Sequence, residues 1–360
     1  MDASQVPQDL STPYLMVDVD VLERNLQRMT SSAQARGLAL RPHVKTHKCL
    51  EIARRQVDLG AAGLTVATIS EAEVFAAAGF EDLFIAYPVW ASGRRARRLR
   101  ALADEVFLRV GVDSVDGAET LGKALAGGRV SVLVEVDSGH HRSGVQPEAA
   151  GTVAAAAEQA GLTVDGAFTF PGHAYGPGRP AQAARDEALG LQSAAGALSG
   201  AGFPDSVRSG GSTPTAELSD ASTLTEIRPG VYSFNDAQQV ELGSCSWSDV
   251  ALTAAATVVS RSGHRVVLDG GSKLLGADQP VWATGAGRLP DYPDARIVAL
   301  AEHHATVVLS SDSSVPALGQ VVRIAPNHVC AAVNLADEIV VIARGEPVDH
   351  WVIAARGTNT

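Results

Sequence analysis

Leu38-Ala-Leu40-Arg41-Pro-His43-Val-Lys45-Thr-His47-Lys48 is the stretch on which the reading of the fold turns. An apolar run ends and a helix-like segment begins, which places Lys45 at the C-terminal tip of a strand. Arg41, His43, His47 and Lys48 crowd it in sequence. Cationic neighbours disfavour a further positive charge and favour the free amine that attacks a carbonyl. In isolation the stretch would read as a solvated basic turn. The segments around it change that reading.

Strand-like and helix-like segments alternate through the first two-thirds of the chain. Strands are expected at 38–44, 63–67, 82–86, 105–111, 130–136, 162–170, 206–209 and 226–227. Ala-rich helical stretches separate most of them, at 70–78, 147–160 and 182–198. Ser70, with Glu71 and Glu73 behind it, reads as a capped helix start, and Gly79 as its stop. About eight such units in a little over two hundred residues is the count of a (β/α)8 TIM-type barrel. A doubly wound sheet is the alternative, but no G-x-G-x-x-G follows an early strand. Beyond about residue 240 short β-rich runs and turns take over, which reads as a C-terminal antiparallel β domain. The expected division is a barrel over 21–240 and a β domain over 241–360, with residues 1–20, including a strand at 14–19, joining the latter. The class is α/β plus all-β.

Composition narrows the function. With 46% hydrophobic and 19% charged residues the chain is globular. A formal net charge of −11 argues against nucleic-acid binding, since no basic surplus is available for phosphates. No apolar run reaches the roughly 20 residues that cross a bilayer, and no secretory signal is visible at the start. Three widely spaced cysteines, Cys49, Cys245 and Cys330, suit a reducing compartment, so the cytoplasm is expected.

In a barrel the strand tips form the active face, and loops after strands seven and eight often bind phosphate. Ser209-Gly210-Gly211-Ser212-Thr213-Pro214 follows the seventh strand: its glycines let backbone N–H groups approach an anion, and Pro214 suits a first helical turn. Arg228-Pro-Gly-Val-Tyr232 follows the eighth. Asp137–Gly144, with His140, His141 and Arg142, and Phe170–Gly176, with His173 and Tyr175, follow the fifth and sixth and offer active-site wall or surface turn. Farther on, His328 and Cys330 are two apart, so in a strand they would share a face and together suit zinc. Glu302, His303 and His304 lie upstream.

Taken together these motifs resemble the fold-type III pyridoxal-phosphate enzymes, in particular the D-serine dehydratase/D-threonine aldolase group related to alanine racemase. The likeness runs through Arg41–Lys48, Thr68–Glu73, His141–Val145, Gly172–Tyr175, Gly210–Pro214, Glu226–Tyr232 and Pro326–Cys330. It implies that Lys45 carries pyridoxal 5′-phosphate and that Arg142 and Tyr175 lie by its ring. It also implies that Gly210, Gly211, Ser212, Thr213 and Tyr232 hold its phosphate, and that the protein is a homodimer with the active site at the interface. Dehydratase-like members carry H-x-C, whereas the D-threonine aldolases place an aspartate at the second position. His328 and Cys330 therefore lean towards a dehydratase holding zinc or another divalent metal such as manganese. Where the group commonly has Ser-Glu-Glu-His-Gly this chain has Ala301-Glu-His-His-Ala305, which leaves Glu302, His303 and His304 without an assigned role.

The resemblance implies β-elimination from a β-hydroxy D-amino acid such as D-serine, giving a 2-oxo acid and ammonia. Lys45, released by the incoming substrate, is the natural base for the Cα proton, with Tyr175 beside it. Retro-aldol cleavage to glycine and an aldehyde is the alternative on the same residues. An amino-acid racemase, or a non-catalytic carrier of the cofactor, is a further one.

Overall fold

The computed structural model describes residues 6–7, 10–125 and 127–360. Its elements begin with β1 (Tyr14–Asp18), α1 (Val19–Ala35), β2 (Ala39–Leu40), α2 (Leu50–Asp58), β3 (Leu64–Val66), α3 (Ile69–Ala77), β4 (Asp82–Pro88) and α4 (Gly93–Glu105). There follow β5 (Phe107–Val112), α5 (Val115–Leu125), β6 (Val130–Glu135), α6 (Ala150–Gln159), β7 (Thr163–Phe168), α7 (Pro180–Gly200), β8 (Val207–Gly210) and β9 (Glu226–Ile227). The remainder is α8 (Ala237–Glu241), β10 (Leu252–Ser262), β11 (Arg265–Leu268), α9 (Ser272–Leu275), β12 (Arg296–Leu300), β13 (Ala305–Val308), β14 (Val321–Ile324), α10 (Val329–Leu335), β15 (Glu338–Ala343) and β16 (Glu346–Val352). Two compact units result. One comprises Met29–Lys45, Ala53–Gly230 and Thr358–Thr360; the other Met1–Arg28, Thr46–Ile52 and Val231–Gly357.

The first unit is the expected barrel. Its eight strands pair in parallel in the order β2-β9-β8-β7-β6-β5-β4-β3. A parallel bridge between His43, just beyond β2, and Thr65, in the middle of β3, closes the sheet. The strands are apolar on both faces, as β6 shows with every residue buried, because helices cover the outside and side chains fill the inside. Phe84, Leu133 and Phe168 make one such filling cluster, the two rings edge to face at 5.1 Å. The helix after β3 starts one step earlier than its sequence suggests. Thr68, not Ser70, is the cap: its hydroxyl accepts the Glu71 N–H at 3.0 Å, while Glu71 reaches back to the Ala67 N–H at 2.6 Å. Gly79 follows the last turn at φ +90°.

Arg41 does not crowd Lys45 with charge. Its guanidinium is buried and bonds Glu226 at 2.7 Å and Asp82 at 2.6 Å. Burial by itself would lower the Arg41 pKa, but the two carboxylates raise it above the usual guanidinium range. Glu226 also accepts from Ser209, and Arg109 lies 3.8 Å from it. Removing one member of a buried pair strands the other charge. Arg41→Met should therefore lower unfolding free energy by about 3 kcal/mol, read by denaturant titration, and the Arg41→Met/Glu226→Leu pair should recover part of that loss.

The second unit holds a second eight-stranded sheet, ordered β12-β13-β11-β10-β1-β15-β16 with β14 also on β10. β1 joins it as expected, antiparallel to β10 (Tyr14 opposite Ala255). The antiparallel expectation needs one correction: β1 runs parallel to β15 (Met16 opposite Val340), so the sheet is mixed. Among the described residues no helix is long and apolar enough to cross a membrane.

Candidate active site

In the barrel unit the site gathers around a ring that sequence reading left without a role. Lys45 sits in the 3-10 turn Val44–Thr46 just beyond β2. Its Nζ stands 5.8 Å from the Phe170 ring centroid, and the Arg142 guanidinium stands 5.1 Å from the same ring, both within cation–π range. Tyr175 lies 6.4 Å from Phe170, and His140 meets its edge at 5.4 Å. Two loops, one after β6 and one after β7, thus bring Arg142 and Tyr175 to the same ring as Lys45.

The two loops interlock. A Cβ on Gly172 would fall 2.5 Å from the His140 ring, and one on Gly139 3.3 Å from His173, so each histidine lies flat on the other loop's glycine. Asp186 on α7 orients His173 at 3.3 Å, and Asp137 holds His141 at 2.6 Å. The His141 side chain is 80% exposed, which leaves it on the outer side of its loop.

Several polar groups near the site are buried. Glu135, last residue of β6, accepts from Ser143 at 2.9 Å and lies 3.9 Å from Arg142. Burial raises its pKa; the Ser143 bond and Arg142 oppose that. His43 is held well below the usual imidazole range, by burial first and then by the charges of Lys45 and Arg228. Arg228 is buried against the Phe84 and Phe168 rings, donating to Ser209 Oγ and, at 2.7 Å, to the Thr169 carbonyl. Burial pushes its pKa down to about 10.

The Gly210–Thr213 loop follows β8 as expected, and Gly211 takes φ +80°, the left-handed region that favours glycine. Two details differ from the sequence reading. The Gly211 N–H is committed to Glu187 Oε1 on α7, and the Ser212 N–H to Thr215 Oγ1 at 2.9 Å. After Pro214 the chain makes successive turns through Ser219 and forms no α-helix.

In the second unit Tyr232 is buried in the 3-10 turn Val231–Ser233. His328 and Cys330 do come together, but not on a strand. His328 is the N-cap of α10 and Cys330 lies in its first turn, so the pairing comes from the chain's entry into a helix. The two side chains hydrogen-bond, and Cys330 foremost holds His328 well above the usual imidazole range. Asp236 Oδ2 is 3.6 Å from His328 Nδ1 and accepts the Val329 N–H at 3.1 Å. Cys330 Sγ meets Thr46 Oγ1 at 3.3 Å. Glu302 forms a surface pair with Lys273 at 2.9 Å, and His303 and His304 are exposed beside it. His47 and Lys48 also belong to this unit, His47 against Phe234 and Lys48 bonded to Asn334 at 2.8 Å.

The barrel residues fit pyridoxal phosphate. An amine faces an aromatic wall, a glycine loop stands at the tip of the seventh strand, and the buried atoms His43 Nδ1 and Glu135 Oε2 have no protein partner. An imidazole touching a thiol is a donor pair suited to zinc. Among the described residues no group of three His, Cys, Asp or Glu side chains is arranged to hold a metal ion, so any metal here would keep positions for non-protein ligands.

Residues 17–238 match the family model for the alanine racemase N-terminal domain, and 251–342 that for a putative serine dehydratase domain. The chain belongs to the fold-type III pyridoxal-phosphate enzymes. Within that family it is 35% identical to a D-threonine aldolase of an Arthrobacter species, over 97% of this chain and 93% of the relative. It is 34% identical to a D-threo-3-hydroxyaspartate dehydratase of a Delftia species, over 89% and 91%. The crystal structure of a D-threonine aldolase from Filomicrobium marinum superposes with a TM-score of 0.90 at 32% identity, covering 98% of each chain. These full-length relatives place the chain among the family's lyases.

Proposed function

We propose that this enzyme eliminates the β-hydroxyl of a D-amino acid such as D-serine, with zinc at His328 and Cys330, to give a 2-oxo acid and ammonia. The identities do not separate the two reactions of its relatives, at 35% and 34%. The observation that carries the reading is the thiol beside the imidazole at His328 and Cys330, the donor pair of dehydratase-like members. Homodimer formation and a cytoplasmic setting accompany this reading.

When bound, the cofactor supplies an electron sink for charge at Cα and the metal a Lewis acid for the β-oxygen. The chain's own residues do the rest. Lys45, freed by the incoming substrate, takes the Cα proton, the Cβ–O bond breaks, and the Lys45 ammonium returns that proton to the departing hydroxyl, which leaves as water. Phe170 and Tyr175 would form an aromatic wall for the cofactor, and Arg142, over the Phe170 ring, would keep positive charge beside it. The enamine product then hydrolyses to 2-oxo acid and ammonia. Assays with both enantiomers of serine and of 3-hydroxyaspartate test this: ammonia should come from D-forms only. Release from L-forms would overturn it.

The phosphate assignment has its own test. Gly211→Val places a Cβ about where Ile227 Cβ is 3.0 Å away and forces a β-branched residue to φ +80°. Strain of about 1–3 kcal/mol should weaken pyridoxal phosphate binding at least tenfold, read by equilibrium dialysis.

A further inference from the structure

Glu187 is a fully buried carboxyl on the helix α7, and the proposed reaction makes no use of it. Its two oxygens hold the two ends of one loop. Oε1 accepts the Gly211 N–H, and Oε2 accepts the Ser219 hydroxyl at 2.9 Å. Between these points the loop braces itself, Thr215 Oγ1 taking the Ser212 N–H at 2.9 Å and the Ser219 hydroxyl also meeting the Thr215 carbonyl at 3.1 Å. Gly210 has no room for a side chain, because a Cβ there would stand 2.4 Å from Glu187 Oε1. A glycine pair, a left-handed φ and a buried acid are thus one construction.

We propose that Glu187 is the positioning residue of the phosphate loop, clamping Gly211 and Ser219 so that the loop is already in its binding shape before the cofactor arrives. This rests on the assignment of Gly210–Thr213 to the phosphate. A loop ordered in advance loses less freedom on binding, which raises affinity for the part of the ligand that it touches. Arg228 adds a favourable charge towards Glu187, against burial that pushes the carboxyl up to about 7. Holding a carboxyl in such a place is costly unless its hydrogen bonds serve a purpose.

The test compares pyridoxal phosphate with pyridoxal, which lacks the phosphate, on the full-length apoprotein. Wild type should prefer the phosphorylated form. Glu187→Leu, which accepts no hydrogen bond, should weaken pyridoxal phosphate about tenfold or more, the scale of a lost buried bond to a charged group, and leave pyridoxal affinity within about twofold. Glu187→Gln keeps an acceptor for Gly211 and should retain the preference. Ser219→Ala loosens one end only and should reduce the preference by a smaller factor, which keeps the proposal testable even where Glu187→Leu does not fold. Equal loss of both ligands in Ser219→Ala and Glu187→Leu, or no loss in either, overturns the positioning role. A wild type that binds both ligands equally overturns the phosphate-loop assignment and the proposal with it. A wild type that binds neither overturns the cofactor reading.

Discussion

Lys45→Ala should bring turnover down by at least about 10³-fold, since it removes both the amine that carries the cofactor and the base for the Cα proton. Folding should be unaffected, because the side chain projects from a 3-10 turn at the strand tip and carries none of the barrel's buried ion pairs. Borohydride reduction of the wild-type holoenzyme followed by peptide mapping should find the pyridoxyl group on Lys45. Two other lysines are engaged elsewhere: Lys48 bonds Asn334, and Lys273 pairs with Glu302 on the surface. A label on either, or a Lys45→Ala enzyme with unchanged turnover, would contradict the assignment.

Cys330→Ala should have the second large effect and a different signature. The thiol is one of only two donors proposed for the metal, so its loss should empty the site, as should a strong chelator on the wild type. Elimination should fall about 10³-fold, the scale of removing a Lewis acid from a poor leaving group. Cofactor binding should persist, because Lys45, Arg142 and the Gly210–Thr213 loop belong to the barrel unit, whereas Cys330 belongs to the other. Exchange of the Cα proton with deuterium oxide should persist too, since Lys45 alone is proposed to move it. Full elimination in a metal-free Cys330→Ala enzyme would make the His328–Cys330 pair incidental to the chemistry.

The barrel was legible because its strands announce themselves locally. Val130–Glu135 is apolar except at Ser131 and Glu135, and the alternation with Ala-rich helices repeats until the count closes at β9. Lys45 was legible for the same reason: a strand tip can be seen from the end of an apolar run. What escaped was whatever depends on partners far away in sequence. The basic crowd around Lys45 dissolves once Arg41 finds Glu226, 185 positions on, and Asp82. Phe170 looks like an ordinary loop residue until two loops fold it under Lys45 and Arg142. Glu187 looks like one acid on a helix until the loop from another unit of the barrel docks on it. The His328–Cys330 spacing was read with the period of a strand, although Val329-Cys-Ala-Ala-Val333 already has the composition of a helix start. The two side chains do meet, but across the first turn of a helix and not along a strand.

One measurement bears most directly on the proposed reaction. The zinc-loaded holoenzyme is given D-serine and the D-isomers of threonine and 3-hydroxyaspartate, and 2-oxo acid, ammonia, glycine and aldehyde are quantified together. β-Elimination predicts 2-oxo acid and ammonia in equal amounts, with no glycine and no aldehyde. Glycine and aldehyde in equal amounts, with no ammonia, would show that the same residues cleave the Cα–Cβ bond and would contradict it.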